Sequence, residues 1–303
     1  MVDHGWPLRF GLFLPPEAGA PLVEIAQEAD RYGLDLIGIQ DQPYLHDHVD
    51  MLAVMGTVLA VTRRVRVFPA VACLPLRPPA ALAKTMAGLD VLSGGRVELG
   101  LGAGGSPDGI ASYGGPRLRT GEAREALAEA VQIIRMLWSG QHGLDHDRGQ
   151  YRLEGAVPGP VPAHPIGIWL GVSGPRSLEV AGRIADGWVG TTRFVPPHRL
   201  AAALRRLDEA ALQAERHPAE LRRIYQLHGR IDESGSRGFL YGPVEQWVEE
   251  MSMLALGYGI DSFLYAGDPD RLGTFALEIV PAVRERVARE RAASARGRRP
   301  VLQ

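Results

Sequence analysis

Short apolar runs alternate with helical patterns along nearly the whole chain, and this alternation limits the fold more than any other feature. Strand-like runs occur at 8–14 (L-R-F-G-L-F-L), 34–40, 65–72, 96–101, 166–171, 187–191, 221–227 and 260–265. Between and after them, helical patterns occupy 21–32, 50–61, 78–92, 120–138, 175–185, 197–215, 244–256 and 269–290. The punctuation agrees: Gly33 follows the first helix as a C′ glycine would, and Pro78 and Pro79 open the third, where a missing N–H costs little. Such alternation through short turns gives parallel strands with right-handed crossovers. Eight repeats predict an α/β fold, the (β/α)8 TIM barrel with insertions, rather than an open doubly wound sheet, which usually has fewer strands in this length.

Two segments break the rhythm. Residues 141–164 are rich in Gly and Pro, with Tyr151-Arg152-Leu153 as a short strand candidate, and read as an excursion from the barrel. Residues 228–241 are polar and Gly-rich and follow the seventh strand, where a lid is expected. The expected organisation is one barrel domain over 1–291 and a basic, flexible tail over 292–303 with Arg296, Arg298 and Arg299.

Composition narrows the class. With 46% hydrophobic and 22% charged residues the 303-residue chain can bury a large core. A formal net charge of -2 provides no field to gather nucleic acid or an anionic membrane. Cys73 is the single cysteine, so no intramolecular disulfide forms, as suits a reducing cytoplasm. No signal peptide and no apolar run of about 18 residues is visible. A soluble cytoplasmic protein acting on a small molecule is expected, without nucleic-acid or membrane partners.

In a barrel the chemistry sits just after each strand. Those positions hold Asp41-Gln42, Ala70 to Cys73, Gly102 to Asp108, Ser173-Gly174-Pro175-Arg176, and Thr191-Thr192-Arg193. The set is rich in glycine and poor in acids, bases and nucleophiles, which suits a bound cofactor better than a hydrolase of the triad or paired-carboxylate type. Ser173 to Arg176 open a helix whose free N–H groups suit a phosphate, although a capped helix without an anion would look the same. Asp41 could equally serve a ligand or a turn. The trio His46-Asp47-His48 lacks a fourth ligand and reads as a solvated loop, so no metal is expected. Cys73 reads as a small residue lining the pocket. The G-L-G-A-G-G run superficially matches a dinucleotide fingerprint, but it follows the fourth strand and no acidic strand end succeeds it.

Three stretches carry a resemblance. They are L-R-P-P-A-A-L-A-K-T-M-A-G-L-D-V-L-S-G-G-R-V-E-L-G-L-G-A-G (76–104), S-G-P-R-S-L-E-V-A-G-R-I-A-D-G-W (173–188) and G-P-V-E-Q-W-V-E-E (242–250). Together the chain resembles the bacterial luciferase-like flavin- and deazaflavin-dependent oxidoreductases over about 8–284. The resemblance implies a TIM barrel, often dimeric, holding FMN or coenzyme F420 at its carboxyl face. It implies that Asp41 and the strand end at Pro69, Ala70 and Val71 support the ring, with a non-proline cis peptide near Ala70. Gly102, Ala103 and Gly104 would line the ring and side chain, and Ser173, Gly174, Pro175 and Arg176 would hold the phosphate. Two departures stand out: Gln42 replaces the histidine many members carry after Asp41, and Gly105 stands where some deazaflavin dehydrogenases have Glu.

The resulting expectation is an oxidoreductase that transfers hydride or monooxygenates an organic small molecule with coenzyme F420 or FMN. Candidate catalytic residues are Gln42 and Asp108, and candidate substrate contacts are Trp188, Thr191 and Arg193. The roof of the pocket is expected from 105–113, 141–164 and 228–241. One alternative is a barrel that binds flavin or another ligand without catalysis; another is a metal-dependent hydrolase using His46 or His48.

Overall fold

The computed structural model describes residues 3–297. The chain opens with β1 (Arg9–Leu14), α1 (Leu22–Arg31), β2 (Leu36–Ile39) and α2 (Met51–Val61). Next come β3 (Arg66–Pro69) and β4 (Ala72–Cys73), a single turn of 3-10 helix at Leu74–Leu76, and α3 (Pro79–Ser93). After β5 (Leu99–Gly102) stand the short α4 (Pro107–Ser112), absent from the sequence expectation, and the long α5 (Thr120–Trp138). A hairpin of β6 (Leu144–His146) and β7 (Leu153–Ala156) precedes β8 (Ile168–Leu170), α6 (Pro175–Ile184), β9 (Gly187–Thr191) and α7 (Pro197–Gln213). The chain continues through β10 (Arg222–Leu227), the small pair β11 (Arg230–Ile231) and β12 (Tyr241–Gly242), α8 (Val244–Tyr258) and β13 (Ser262–Tyr265). Finally α9 (Leu272–Thr274) runs through a π turn into α10 (Val280–Gly297).

All eight expected strands form, and their neighbours pair in parallel in the order β3-β2-β1-β13-β10-β9-β8-β5-β4. The expected third strand, 65–72, is cut by Ala70 and Val71 into β3 and β4, which are two halves of one stave. The Ala70–Val71 peptide is cis. The Val67 N–H donates to Arg96 O and the Glu98 N–H to Val67 O, so β3 also bonds the segment entering β5 and the sheet closes on itself. The fold is a TIM barrel.

Side chains pointing inward form three levels. The carboxyl-end level belongs to the site. In the middle, Leu36, Phe68, Trp169, Val189, Ile224 and Leu264 form a buried apolar plug, with the Phe68 and Trp169 rings edge to face at 4.9 Å. At the amino end lie paired charges: Arg66 with Glu98 at 3.3 Å, and Arg222 with Asp261 at 2.9 Å, while the Trp6 ring covers the Arg222 guanidinium at 4.5 Å. Burial raises the pKa of Glu98, opposed by the Gly167 N–H and by Arg66. This end is closed.

Two expectations need correcting here. The 141–164 excursion follows a helix and precedes a strand, so it hangs at the amino end of the barrel and roofs nothing. Its hairpin is held by Glu129 of α5, which accepts from the Gln150 and Tyr151 N–H groups, and His164 contacts the Asp90 carboxylate at the end of α3. The tail also differs, because residues 292–297 continue α10 as helix. Arg298 and Arg299 lie outside the described residues.

Candidate active site

At the carboxyl end of the strands lies a cavity of about 680 Å³, within the size range of small-molecule sites. Its shape starts at the bulge between β3 and β4. The Val71 side chain points across the barrel, and the neighbouring strands make way for it by having no side chain. A Cβ on Gly102 would stand 2.6 Å from a Val71 methyl, and one on Gly171 would stand 2.7 Å from the same methyl. A Cβ on Gly100 would stand 2.0 Å from the Pro69 carbonyl oxygen. These glycines are therefore required by close packing of the bulge. Gly105 faces nothing within 4 Å, so it belongs to the open floor.

The bulge is pinned from behind by Asp41, whose side chain is 2% exposed. Its carboxylate accepts from the Cys73 N–H at 2.8 Å and from Arg77 twice, Nε at 3.0 Å and Nη2 at 2.8 Å. The same Nη2 reaches Asp50 at 2.7 Å, and Asp50 in turn caps α2. One guanidinium thus ties the end of β2, the start of α2 and the bulge together. Burial disfavours the charge on Arg77, but the Asp41 and Asp50 carboxylates outweigh it and raise its pKa. Asp41 lines the cavity with its charge already matched. Arg77 was not singled out from sequence, because L-P-L-R-P-P carries no local signal for a side chain that acts through tertiary contacts.

The expected cofactor residues converge. Asp41, Ala70, Val71, Gly102, Ala103, Gly104, Ser173 and Gly174 all line the cavity, joined by Ser177 from the first turn of α6. Gly174 is the N-cap of that helix and offers no capping side chain, which leaves the helix end open to an anion. Pro175 and Arg176 stand outside the lining, with Arg176 exposed to solvent. Positive charge in the lining comes instead from Arg124 of α5. Among the described residues it is the cationic side chain in the lining, and Thr120 and Ala123 line the cavity beside it. Arg124 escaped sequence reasoning because it sits inside a helix and not after a strand.

The catalytic and substrate candidates divide. Gln42 lines the cavity, and its side-chain oxygen accepts a hydrogen bond from the Gln40 amide. Thr191 lines it as well. Asp108 points away: its side chain is 90% exposed and paired with Arg117 at 2.7 Å. Trp188 is fully buried behind the wall, where its indole N–H donates to the Val172 carbonyl at 2.8 Å and its ring stacks on Tyr225. Strand parity explains this, since Val189 belongs to the inner plug and its neighbour Trp188 must face the helices. Arg193 is exposed and outside the lining.

The rest of the lining is weakly acidic or neutral. Cys73 is buried, and burial with the Asp41 charge pushes its thiol up to about 11, so it is no nucleophile at neutral pH. Burial likewise raises the Tyr44 hydroxyl, with Cys73 adding to the effect. The roof comes from Tyr44 and Leu45 on one side and from Ser106, Pro107 and Ile110 on the other, within the expected 105–113. The segment 228–241 folds back instead on α8: Leu240 N–H donates to Glu250, and the Gln246 amide donates to the Gly238 carbonyl. No group of metal-ligating side chains is present among the described residues.

A family model described as luciferase-like monooxygenase matches residues 8–236. An F420-dependent glucose-6-phosphate dehydrogenase of Nakamurella multipartita is 32% identical over 243 residues, 76% of this chain and 70% of the relative. One of the same description from Kineococcus radiotolerans is 34% identical over 201 residues, 63% of this chain and 59% of the relative. Among solved structures, an F420-dependent secondary alcohol dehydrogenase with an F420-acetone adduct superimposes with a TM-score of 0.83 at 20% identity, covering 92% of this chain and 99% of that one. At that identity the likeness concerns the fold.

Proposed function

The chain belongs to the luciferase-like monooxygenase family, and from that premise we propose that the cavity over the Ala70–Val71 bulge holds coenzyme F420. The protein is an oxidoreductase that works with a flavin-type cofactor, F420 or FMN. The choice of F420 rests on the sequence relatives, which carry that cofactor in their descriptions. The observation that carries the reading is the site's construction: a floor of backbone and glycine on which a flat ring can lie, a bulge locked beneath it, and an open helix end and the Arg124 side chain in the same lining.

In this reading Gly102, Ala103 and Gly104 lie along the ring, while Ala70 and Val71 support it from below. Ser173, Gly174, Ser177 and Arg124 hold the phosphate, and Arg176 adds charge from outside. When bound, the cofactor supplies hydride transfer at its ring. The chain's own share is orientation and exclusion of water: Asp41 and Arg77 fix the bulge, and the Tyr44 side closes over the mouth. Among the described lining residues Asp41 is held by Arg77 and burial raises the Cys73 thiol, so in this reading Gln42 acts by hydrogen bonding and not by proton transfer.

A homodimer fits the outward faces of α2 and α3, where small residues such as Ala53, Thr57, Ala60 and Ala81 are exposed and Leu92 is 85% exposed. No described helix is long and apolar enough to cross a membrane. A cytoplasmic setting fits the single free cysteine.

The test is separate titration with F420 and with FMN. Binding of F420 with a Kd below about 100 μM, equivalent to roughly 5.5 kcal/mol, and at least tenfold weaker binding of FMN are expected. Failure of both cofactors to reach that affinity would overturn the reading. Tighter binding of FMN would overturn the choice of F420.

A further inference from the structure

Gln226 is the polar group that the cofactor reading leaves unused. It lies on β10 two residues after Ile224 of the inner plug, and parity turns it toward the barrel axis. It is 7% exposed and lines the cavity. Its backbone carbonyl accepts from Thr192, but its side-chain amide has no hydrogen-bond partner among the described residues. The amide is not sealed off as Ser252 Oγ is, so it opens into the cavity. Open to the cavity and not engaged by another side chain, the amide is a hydrogen-bonding group that a ligand in the site can meet.

Its surroundings are neutral. Gln226 is in register with Thr191 of β9, which also lines the cavity. Across the barrel, Gln40 at the end of β2 also lines the cavity and gives one amide hydrogen to Gln42. The charges in the lining are Asp41, already gripped by Arg77, and Arg124 of α5, which the cofactor reading assigns to the phosphate.

We propose that Gln226, with Thr191 beside it and Gln40 opposite, receives the oxygen of an uncharged substrate, a ketone, an aldehyde or an alcohol. This rests on the cofactor reading, because Arg124 is otherwise free to meet a substrate anion. A doubly charged phosphate ester held against Gln226, Thr191 and Gln40 would face amides and a hydroxyl with no cationic side chain among them, a poor match for its charge. The chain thus separates from its sugar-phosphate relatives in substrate class. Where the substrate is an alcohol, its C–H bond breaks with the hydride passing to the oxidised cofactor. The hydroxyl proton leaves to water and the C=O bond forms; the reverse reaction reduces a ketone.

The experiment uses the cofactor-loaded protein and three probes: cyclohexanol, cyclohexanone and glucose 6-phosphate. Binding is read from the bound cofactor's fluorescence, and turnover from its visible absorbance. The alcohol and ketone are expected to bind and react, with glucose 6-phosphate at least tenfold weaker. Gln226→Leu is expected to weaken the neutral probes by about 10–100-fold while cofactor affinity stays unchanged, and Gln226→Asn to recover part of the loss. The inference is overturned if glucose 6-phosphate binds as tightly as the neutral probes, if neither neutral probe binds, or if Gln226→Leu matches wild type. If no cofactor binds, the cofactor reading fails and this inference with it; if the cofactor binds and glucose 6-phosphate matches the neutral probes on the loaded protein, this inference alone fails.

Discussion

Asp41 shows how a side chain can line a cavity and yet be occupied on its other side. It lies at the end of β2 and lines the cavity, but its oxygens are taken by Arg77 and the Cys73 N–H. Removing the cation would leave a buried carboxylate without its partner, which costs about 3 kcal/mol or more. Arg77→Met is therefore expected to lower stability by about that amount in urea unfolding and to weaken cofactor binding, since the bulge loses its anchor. The double variant Arg77→Met with Asp41→Asn should recover about half of the stability. Equal stability of wild type and Arg77→Met would show that the anchor is idle. Asp41 was legible because it follows a strand. Gln226 also ends a strand but in a run, R-R-I-Y-Q-L, whose parity cannot be fixed without knowing which face is the axis. Trp188 was misread for the same reason.

At the scale of elements, the alternation of strands and helices was enough to count eight staves, because each repeat buries its apolar face locally. The break inside the third stave was available only through resemblance, since V-R-V-F-P-A-V-A reads as one continuous strand. The glycines opposite it are its counterpart. A Cβ on Gly100 has 2.0 Å of room before the Pro69 carbonyl, a backbone atom that cannot swing aside. Gly100→Ala is expected to cost about 3 kcal/mol or more, or to prevent recovery of folded protein. Folding of Gly100→Ala at wild-type stability would contradict the tight packing. The 141–164 excursion was misplaced for a topological reason: a helix-to-strand connection lies at the amino end of a barrel, however loop-like its composition. Chain order alone held that information.

At the scale of the whole molecule, the charge pattern couples stability to pH. Burial, with the Arg223 charge adding for His4 and the Arg193 charge for His228, pulls both imidazoles down to about 4 from 6.5. Their folded pKa lies below the unfolded value, so the fold keeps its full benefit above about pH 6.5 and loses it as the pH falls toward 4. Each is partly open to solvent, and the loss per histidine at pH 5 is about 1 kcal/mol. Buried Glu98, Asp208 and Asp261 have raised pKa values and act in the opposite sense. The clean comparison is consequently between wild type and His228→Gln. The variant should lose about 1 kcal/mol less between pH 7 and pH 5, and parallel pH profiles would refute the assignment.

The same scale holds the central claim, that the cofactor ring lies on the glycine floor above the bulge. Gly105 is the position to probe, because it faces open space and its backbone does not require glycine. A leucine there is expected to reach into the cavity that Gly105 lines without disturbing the barrel. The deciding measurement is the F420 affinity of Gly105→Leu against wild type, with the thermal midpoint of each recorded alongside. At least 100-fold weaker binding, about 2.7 kcal/mol, at an unchanged midpoint is expected. Wild-type affinity in that variant would place the cofactor elsewhere.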